Sequence, residues 1–154
     1  MVKEISGSFD GSDFSVAIVC SEFNELITNK LLSGAKKTLI RSGTAQDKIT
    51  VYRVPGSFEI PTMVRTVLSK TSPDGVIALG AVIRGETPHF DYVCSAVSTG
   101  LSRLNCQFDS PITFGVLTTD TVDQALERAG SKLGNKGSEA AIALVETMSA
   151  IEMI

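Results

Sequence analysis

The stretch Gly80-Ala81-Val82-Ile83-Arg84-Gly85-Glu86-Thr87-Pro88-His89-Phe90-Asp91-Tyr92 contains the only histidine of the 154-residue chain. Histidine is the side chain that most readily exchanges protons near neutral pH. Just before it, Gly85 can take backbone conformations closed to other residues, Thr87 can cap a helix, and Pro88 suits a first helical turn. Backbone N–H groups left unpaired at a helix N-terminus attract anions, and a glycine beside them lets a phosphate come close. One turn thus combines a phosphate cradle with a proton-exchanging group. Taken alone, a loop histidine is usually structural or exposed.

The elements that would position this turn follow from periodicity. The apolar run Val76-Ile77-Ala78-Leu79 reads as a fully buried strand of a parallel sheet, and Val93, Val97, Leu101 and Leu104 continue as a helix behind the turn. Upstream, Ser15–Cys20 is a first core strand. It leads through Ser21-Glu22-Phe23-Asn24 into a helix with Ile27, Leu31, Ala35 and Leu39 on one face, ended by Gly43. Ile49–Val54 is a second strand stopped by Pro55-Gly56, and Pro61 opens a helix with Val64, Val67 and Leu68 inward. Pro111–Leu117 is a further strand, with Thr118-Thr119-Asp120 as its loop. Val122, Ala125, Leu126 and Ala129 mark a short helix stopping at Gly130, and Gly134-Asn135-Lys136-Gly137 turns into a last helix carrying Ala141, Leu144, Val145, Met148 and Ile151. Residues 1–14, polar and glycine-containing, predict an arm that frays in a monomer or adds an edge strand to a neighbouring subunit.

Strands alternating with helices predict a single α/β domain over residues 1–154. The architecture expected is a three-layer flavodoxin-like fold, with a four-stranded parallel sheet in the order 2-1-3-4 and helices on both faces. In such sheets ligands collect at the carboxyl ends of the strands. Those ends carry Phe23-Asn24, Ser57-Phe58-Glu59, Arg84 to His89, and Thr118-Thr119. Phe23 and Phe58, with Phe114, offer faces on which a flat heteroaromatic could stack, while backbone groups near Ala81, Val82 and Ile83 read its edge. Each piece has a plainer reading. A strand phenylalanine such as Phe114 is commonly core, Glu59 at a helix start complements the dipole, and Arg128 late in a short helix does the same or is solvated.

Composition excludes several classes. A net charge of −3 with dispersed Lys and Arg, two tyrosines and no tryptophan leaves neither an electrostatic footprint nor stacking platforms for nucleic acid. The apolar runs are too short to cross a bilayer, and the opening residues lack the apolar core of a signal peptide, so no membrane role and a cytoplasmic location are expected. The three cysteines, Cys20, Cys94 and Cys106, form no C-x-x-C pair and read as inert buried thiols. With one histidine they cannot supply a zinc set, so no metal is expected.

Four segments together resemble the lumazine synthase family. They are Val54-Pro55-Gly56-Ser57-Phe58-Glu59-Ile60-Pro61, the Gly80 to Tyr92 stretch, Phe114-Gly115-Val116-Leu117-Thr118-Thr119, and Glu127-Arg128-Ala129-Gly130 through Gly134-Asn135-Lys136-Gly137. They occur in family order and spacing, and the likeness runs from Phe23-Asn24 to the last helix. The resemblance implies condensation of 5-amino-6-(D-ribitylamino)uracil with 3,4-dihydroxy-2-butanone 4-phosphate to 6,7-dimethyl-8-ribityllumazine, phosphate and water, the penultimate step of riboflavin biosynthesis, with no cofactor. It places Phe23 against the pyrimidine, Ser57, Phe58 and Glu59 on its ribityl chain, and Ala81, Val82 and Ile83 on its polar edge. Glu86 and Thr87 fall at the phosphate loop and His89 at the proton-transfer position. Phe114 and Arg128 fall at positions reaching in from a neighbouring subunit, Arg128 toward the phosphate. Asn24 and Lys136 are further candidates near the site.

The same resemblance implies a homo-oligomer built of pentamers, closed in some members into icosahedral shells, and riboflavin synthase as a candidate partner. The uninterrupted Gly130 to Gly137 turn is similar to that of the shell formers. Glu86 departs from the small neutral residue of many members, and a carboxylate there repels phosphate unless it turns outward or pairs with Arg84 or Arg128. Pro88 removes one N–H from the anion site. Three other uses of such a fold compete with this one. A flavin mononucleotide carrier wants a Ser/Thr-rich loop after the first strand, where Ser21-Glu22-Phe23-Asn24-Glu25 stands. A receiver-type signalling domain wants an aspartate after the third, where Ile83-Arg84 stands. A purely structural shell protein would form no fluorescent lumazine from the two substrates.

Overall fold

The computed structural model describes residues 1–154. The elements run β1 (Val16–Ser21), α1 (Glu25–Arg41), β2 (Ile49–Val54), α2 (Ile60–Thr71), β3 (Gly75–Ile83), α3 (His89–Gln107), β4 (Ile112–Thr119), α4 (Val122–Glu127), β5 (Ala129–Ser131), β6 (Gly134–Asn135) and α5 (Lys136–Ile151). The main sheet has four strands in the order β2-β1-β3-β4, every pair parallel. Because successive side chains on a strand point to opposite faces, the sheet feeds two cores. Ile18, Cys20, Ile77 and Leu79 pack with α1 and α5 residues such as Leu31, Leu39 and Leu144. Ala17, Val19, Val76 and Ala78 pack with α2 and α3 residues such as Ile60, Val64, Val97 and Leu101. Each large aliphatic side chain taken fully out of water contributes about 1.5–3 kcal/mol, so these two layers hold the strands whose ends carry the loops. The flavodoxin-like arrangement expected from the alternation of elements is therefore the one present. No helix is long and apolar enough to cross a membrane.

Four details differ from the sequence expectations, one being that of the three cysteines read as buried only Cys20 is, with Cys94 half-buried and Cys106 exposed. The arm is docked on its own chain from Ser8 onward: the Ser8 N–H donates to Ser149 Oγ at 3.1 Å, the Gly11 N–H to the Ser42 carbonyl at 2.8 Å, and Phe14 is buried in the α1/α5 core. Next, α4 ends at Glu127 and the segment up to α5 is an antiparallel hairpin of β5 and β6 rather than a simple turn. Its last residue, Asn135, caps α5 by accepting the Ser138 N–H at 3.0 Å and donates to the Lys30 carbonyl at 3.0 Å. A Cβ on Gly137 would run into the Leu31 carbonyl, so α1 and α5 cross closely here. Last, α3 is capped by Pro88 (φ −65°, ψ 0°) and not by Thr87, whose Oγ1 receives only a 3.5 Å contact from the His89 N–H. Gly85 does not use a positive φ.

Candidate functional site

A cleft of about 660 Å³ opens at the carboxyl ends of β1, β2 and β3. Phe23, Asn24, Ser57, Phe58 and Glu59 form one wall, and Ala81, Val82, Ile83, Thr87 and His89 the other. The first wall is a pair of loops tied together, since the Glu22 N–H donates to the Val54 carbonyl at 2.8 Å and the Phe23 N–H to the Pro55 carbonyl at 2.9 Å. This lashing holds together the loops that carry the two phenylalanines, and both rings line the cleft largely exposed, Phe23 72% and Phe58 62%. Rings that large face water at a cost that a stacked heteroaromatic would relieve. Glu59 Oε2 accepts the Gly56 N–H at 3.0 Å, so the plainer reading of this residue holds for one oxygen. The other oxygen has no hydrogen-bond partner within the chain, and the residue lines the cleft.

The opposite wall is the end of β3, and its usefulness comes from a difference in strand length. Pairing of β3 with β1 stops at Cys20 and Leu79, whereas pairing with β4 continues to Ile83 and Thr119. Gly80 to Ile83 therefore has a ladder on one side only. The Val76 and Arg84 N–H groups donate toward β4, at 2.9 Å each, to the Pro111 and Thr119 carbonyls. Alternation along the strand then turns the backbone groups of Ala81 and Ile83 to the open side. The Asn24 Nδ2 donates to the Ala81 carbonyl at 2.9 Å, from a backbone at φ 61° that asparagine tolerates better than most residues. Ile83 and the Ala81 N–H are left as an unpaired polar edge, and Val82 contributes its side chain.

Beyond Ile83 the chain makes few bonds of its own. The N–H groups of Gly85, Glu86, Thr87 and Phe90 donate to no group in the chain. They surround the N-terminus of the 19-residue α3, where the helix dipole favours negative charge. Pro88 costs one donor, but the loop and first turn supply the four others. A Cβ on Gly85 would meet no atom within 4 Å, so the glycine borders open space. Glu86 is exposed, lies off the cleft and forms no ion pair. The pairing with Arg84 considered from sequence does not occur, because Arg84 is committed elsewhere. Its Nε donates to Asp120 Oδ1 at 2.8 Å, its Nη1 to Asp91 Oδ1 at 3.3 Å, and its guanidinium lies 4.3 Å from the Phe90 ring centroid. The Asp120 hydrogen bond, followed by the charge of Asp91, raises the Arg84 pKa further.

His89 is exposed, lines the cleft, and its imidazole makes no hydrogen bond within the chain. Phe114, Arg128 and Lys136 lie outside the cleft. Phe114 is 45% exposed on edge strand β4, Arg128 donates to the Gln124 carbonyl at 3.0 Å, and Lys136 pairs with Glu139 at 2.9 Å. Tyr92 and Val93, which sequence reasoning did not single out, line the cleft together with Phe90 and Gly85. The signal was present, because residues three and four after His89 share its helical face. No cluster of three or more His, Cys, Asp or Glu side chains is placed to hold a metal ion.

The family model for 6,7-dimethyl-8-ribityllumazine synthase matches residues 13–152, from the end of the arm to the last turn of α5, and the chain belongs to that family.

Proposed function

We propose that this family member condenses 5-amino-6-(D-ribitylamino)uracil with 3,4-dihydroxy-2-butanone 4-phosphate in the cleft between the Phe23/Phe58 wall and the end of β3. The observation that carries this reading is the meeting of three unlike features in one cavity: exposed aromatic faces, an unpaired strand edge, and a loop of free N–H groups with His89 at its end. The pyrimidine stacks on Phe23 and is read at its edge by Ala81 and Ile83. Its polyol chain runs past Ser57, Phe58 and Glu59. The phosphate sits on the N–H groups between Gly85 and Phe90, and because these are backbone donors, Glu86 does not disable the site.

In the chemistry that follows, the amine of the pyrimidine attacks the ketone and expels a first water to give an imine, phosphate leaves, the enol tautomerises, and the ring closes with loss of a second water. Each step moves a proton, and in this reading His89, an exposed imidazole lining the cleft, carries it. Much of the acceleration comes from holding two already reactive molecules together. We also infer that a second copy of the chain completes the site with Phe114 and Arg128, since both lie away from the cleft of their own subunit. Mixing the two substrates with the protein tests the reading: a fluorescent lumazine and stoichiometric phosphate are expected. A protein that oligomerises but yields no product would instead support the structural-shell alternative.

A further inference from the structure

This inference rests on the proposed reaction and concerns Ser21, the last residue of β1. Ser21 is 0% exposed and its hydroxyl has no hydrogen-bond partner in the chain. A buried hydroxyl without a partner destabilises a fold, and such a group in a native protein calls for an explanation. The Thr28 hydroxyl is also unpaired, but the Cys20 thiol lies beside it. Ser21 faces the other way, toward Gly80. A Cβ on Gly80 would stand 2.6 Å from Ser57 Oγ and 3.0 Å from Ser21 Oγ. Both hydroxyls thus lie against one glycine, Ser57 as a cleft residue and Ser21 as a fully buried one. Any side chain at position 80 would press on both.

We propose that Ser21 is a positioning residue that sets the polarity of Ser57. The Ser21 hydroxyl donates to Ser57 Oγ across Gly80 when the Ser57 side chain turns to receive it, and the Ser57 O–H is then directed outward as a donor. A hydroxyl that accepts one hydrogen bond donates the next more strongly. Two residues on, Glu59 keeps one carboxylate oxygen free as an acceptor. A donor at Ser57 and an acceptor at Glu59 suit adjacent hydroxyls of a polyol, each of which can accept one bond and donate another. Ser21 therefore tunes affinity for the polyol-bearing substrate without touching it.

The test is a cycle of Ser21→Ala, Ser57→Ala and the double variant. Each is characterised by steady-state kinetics in both substrates and by thermal melting without ligand. Ser21→Ala should raise KM for the ribitylaminouracil roughly fivefold, the worth of one neutral hydrogen bond, with kcat within about twofold of the parent. It should add nothing further in the Ser57→Ala background. The free Ser21→Ala protein should melt no lower than the parent, because the substitution removes an unpaired buried hydroxyl. An unchanged KM, an equal rise in the Ser57→Ala background, or a clearly lower melting temperature would each overturn the proposal. Failure of the parent protein to form lumazine at all would instead remove the proposed reaction, and this inference with it.

Discussion

His89 and Cys20 show how differently two reactive residue types are treated by one chain. The imidazole lines the cleft with no partner in the chain to orient it, so in the proposed reaction substrate completes its geometry. His89→Ala is expected to lower kcat by about 10²-fold, the low end of the range for acid–base groups, because the two reactants are still held together. A loss under about twofold in steady-state assays would remove His89 from the chemistry. Cys20 is the opposite case: burial raises its thiol pKa, against a partial lowering by the charge of Arg53. A raised thiol pKa means that, as pH climbs through the ordinary thiol range, the unfolded chain ionises before the folded one, so stability is lost toward alkaline pH. Iodoacetamide should leave Cys20 unlabelled in the native protein at mildly alkaline pH and modify it once denaturant is added. Mass spectrometry of the Cys20 peptide reads this directly, and fast native labelling would contradict the burial. At this scale the sequence disclosed residue type but not circumstance. His89 and Phe23 stood out because they occupy strand ends, whereas the divided duty of Glu59 depends on a short turn at Ser57–Glu59 that brings its carboxylate back to the Gly56 N–H.

Strand β3 explains why three loops make one cleft, whereas Thr118 and Thr119 at the end of β4, expected from sequence to join them, lie outside it. Parallel strands deliver their carboxyl ends to the same edge of the sheet, and β3 outruns β1 by enough to leave a one-sided ladder there. Strand order was legible because each strand is a short run rich in β-branched and apolar residues, separated from the next by a helix-length crossover, and only a few right-handed arrangements satisfy that pattern. The overrun was not legible, because Gly80-Ala81-Val82-Ile83 is apolar whether paired on one side or two. Neither was the β5/β6 hairpin, whose strands of three and two residues are too short to show a period. Arg84 links these elements, joining the end of β3 to α3 through Asp91 and to the β4–α4 loop through Asp120. Exposed ion pairs add little to stability, so its value lies in fixing the loop. Arg84→Met keeps bulk over Phe90 but cuts both ionic ties. The melting temperature should hardly move, while KM for the phosphate-bearing substrate rises severalfold. A large drop in melting temperature with unchanged KM would make Arg84 a structural residue only.

At the scale of the whole molecule, one chain provides a cleft but leaves Phe114 and Arg128 outside it. The rim is rich in exposed apolar side chains, with Phe23, Phe58 and Tyr92 between 62% and 75% exposed. A monomer seldom leaves large aromatics clustered in water without a partner for them, whether ligand or protein. If, as proposed, a second copy completes the cleft, a closed ring would have every subunit present its cleft to one neighbour and its Phe114 and Arg128 to the other, so the two residue sets could be separated genetically. Arg128→Ala should cripple phosphate binding, and His89→Ala should slow turnover. Mixed by co-expression at equal amounts, about a quarter of the junctions would pair an intact His89 from one variant with an intact Arg128 from the other, if subunits assort at random. Activity should then rise well above the mean of the two parent variants, with light scattering confirming a common assembly. Activity equal to that mean would place both residues in the service of the same subunit's cleft and leave the aromatic rim to be covered by substrate alone.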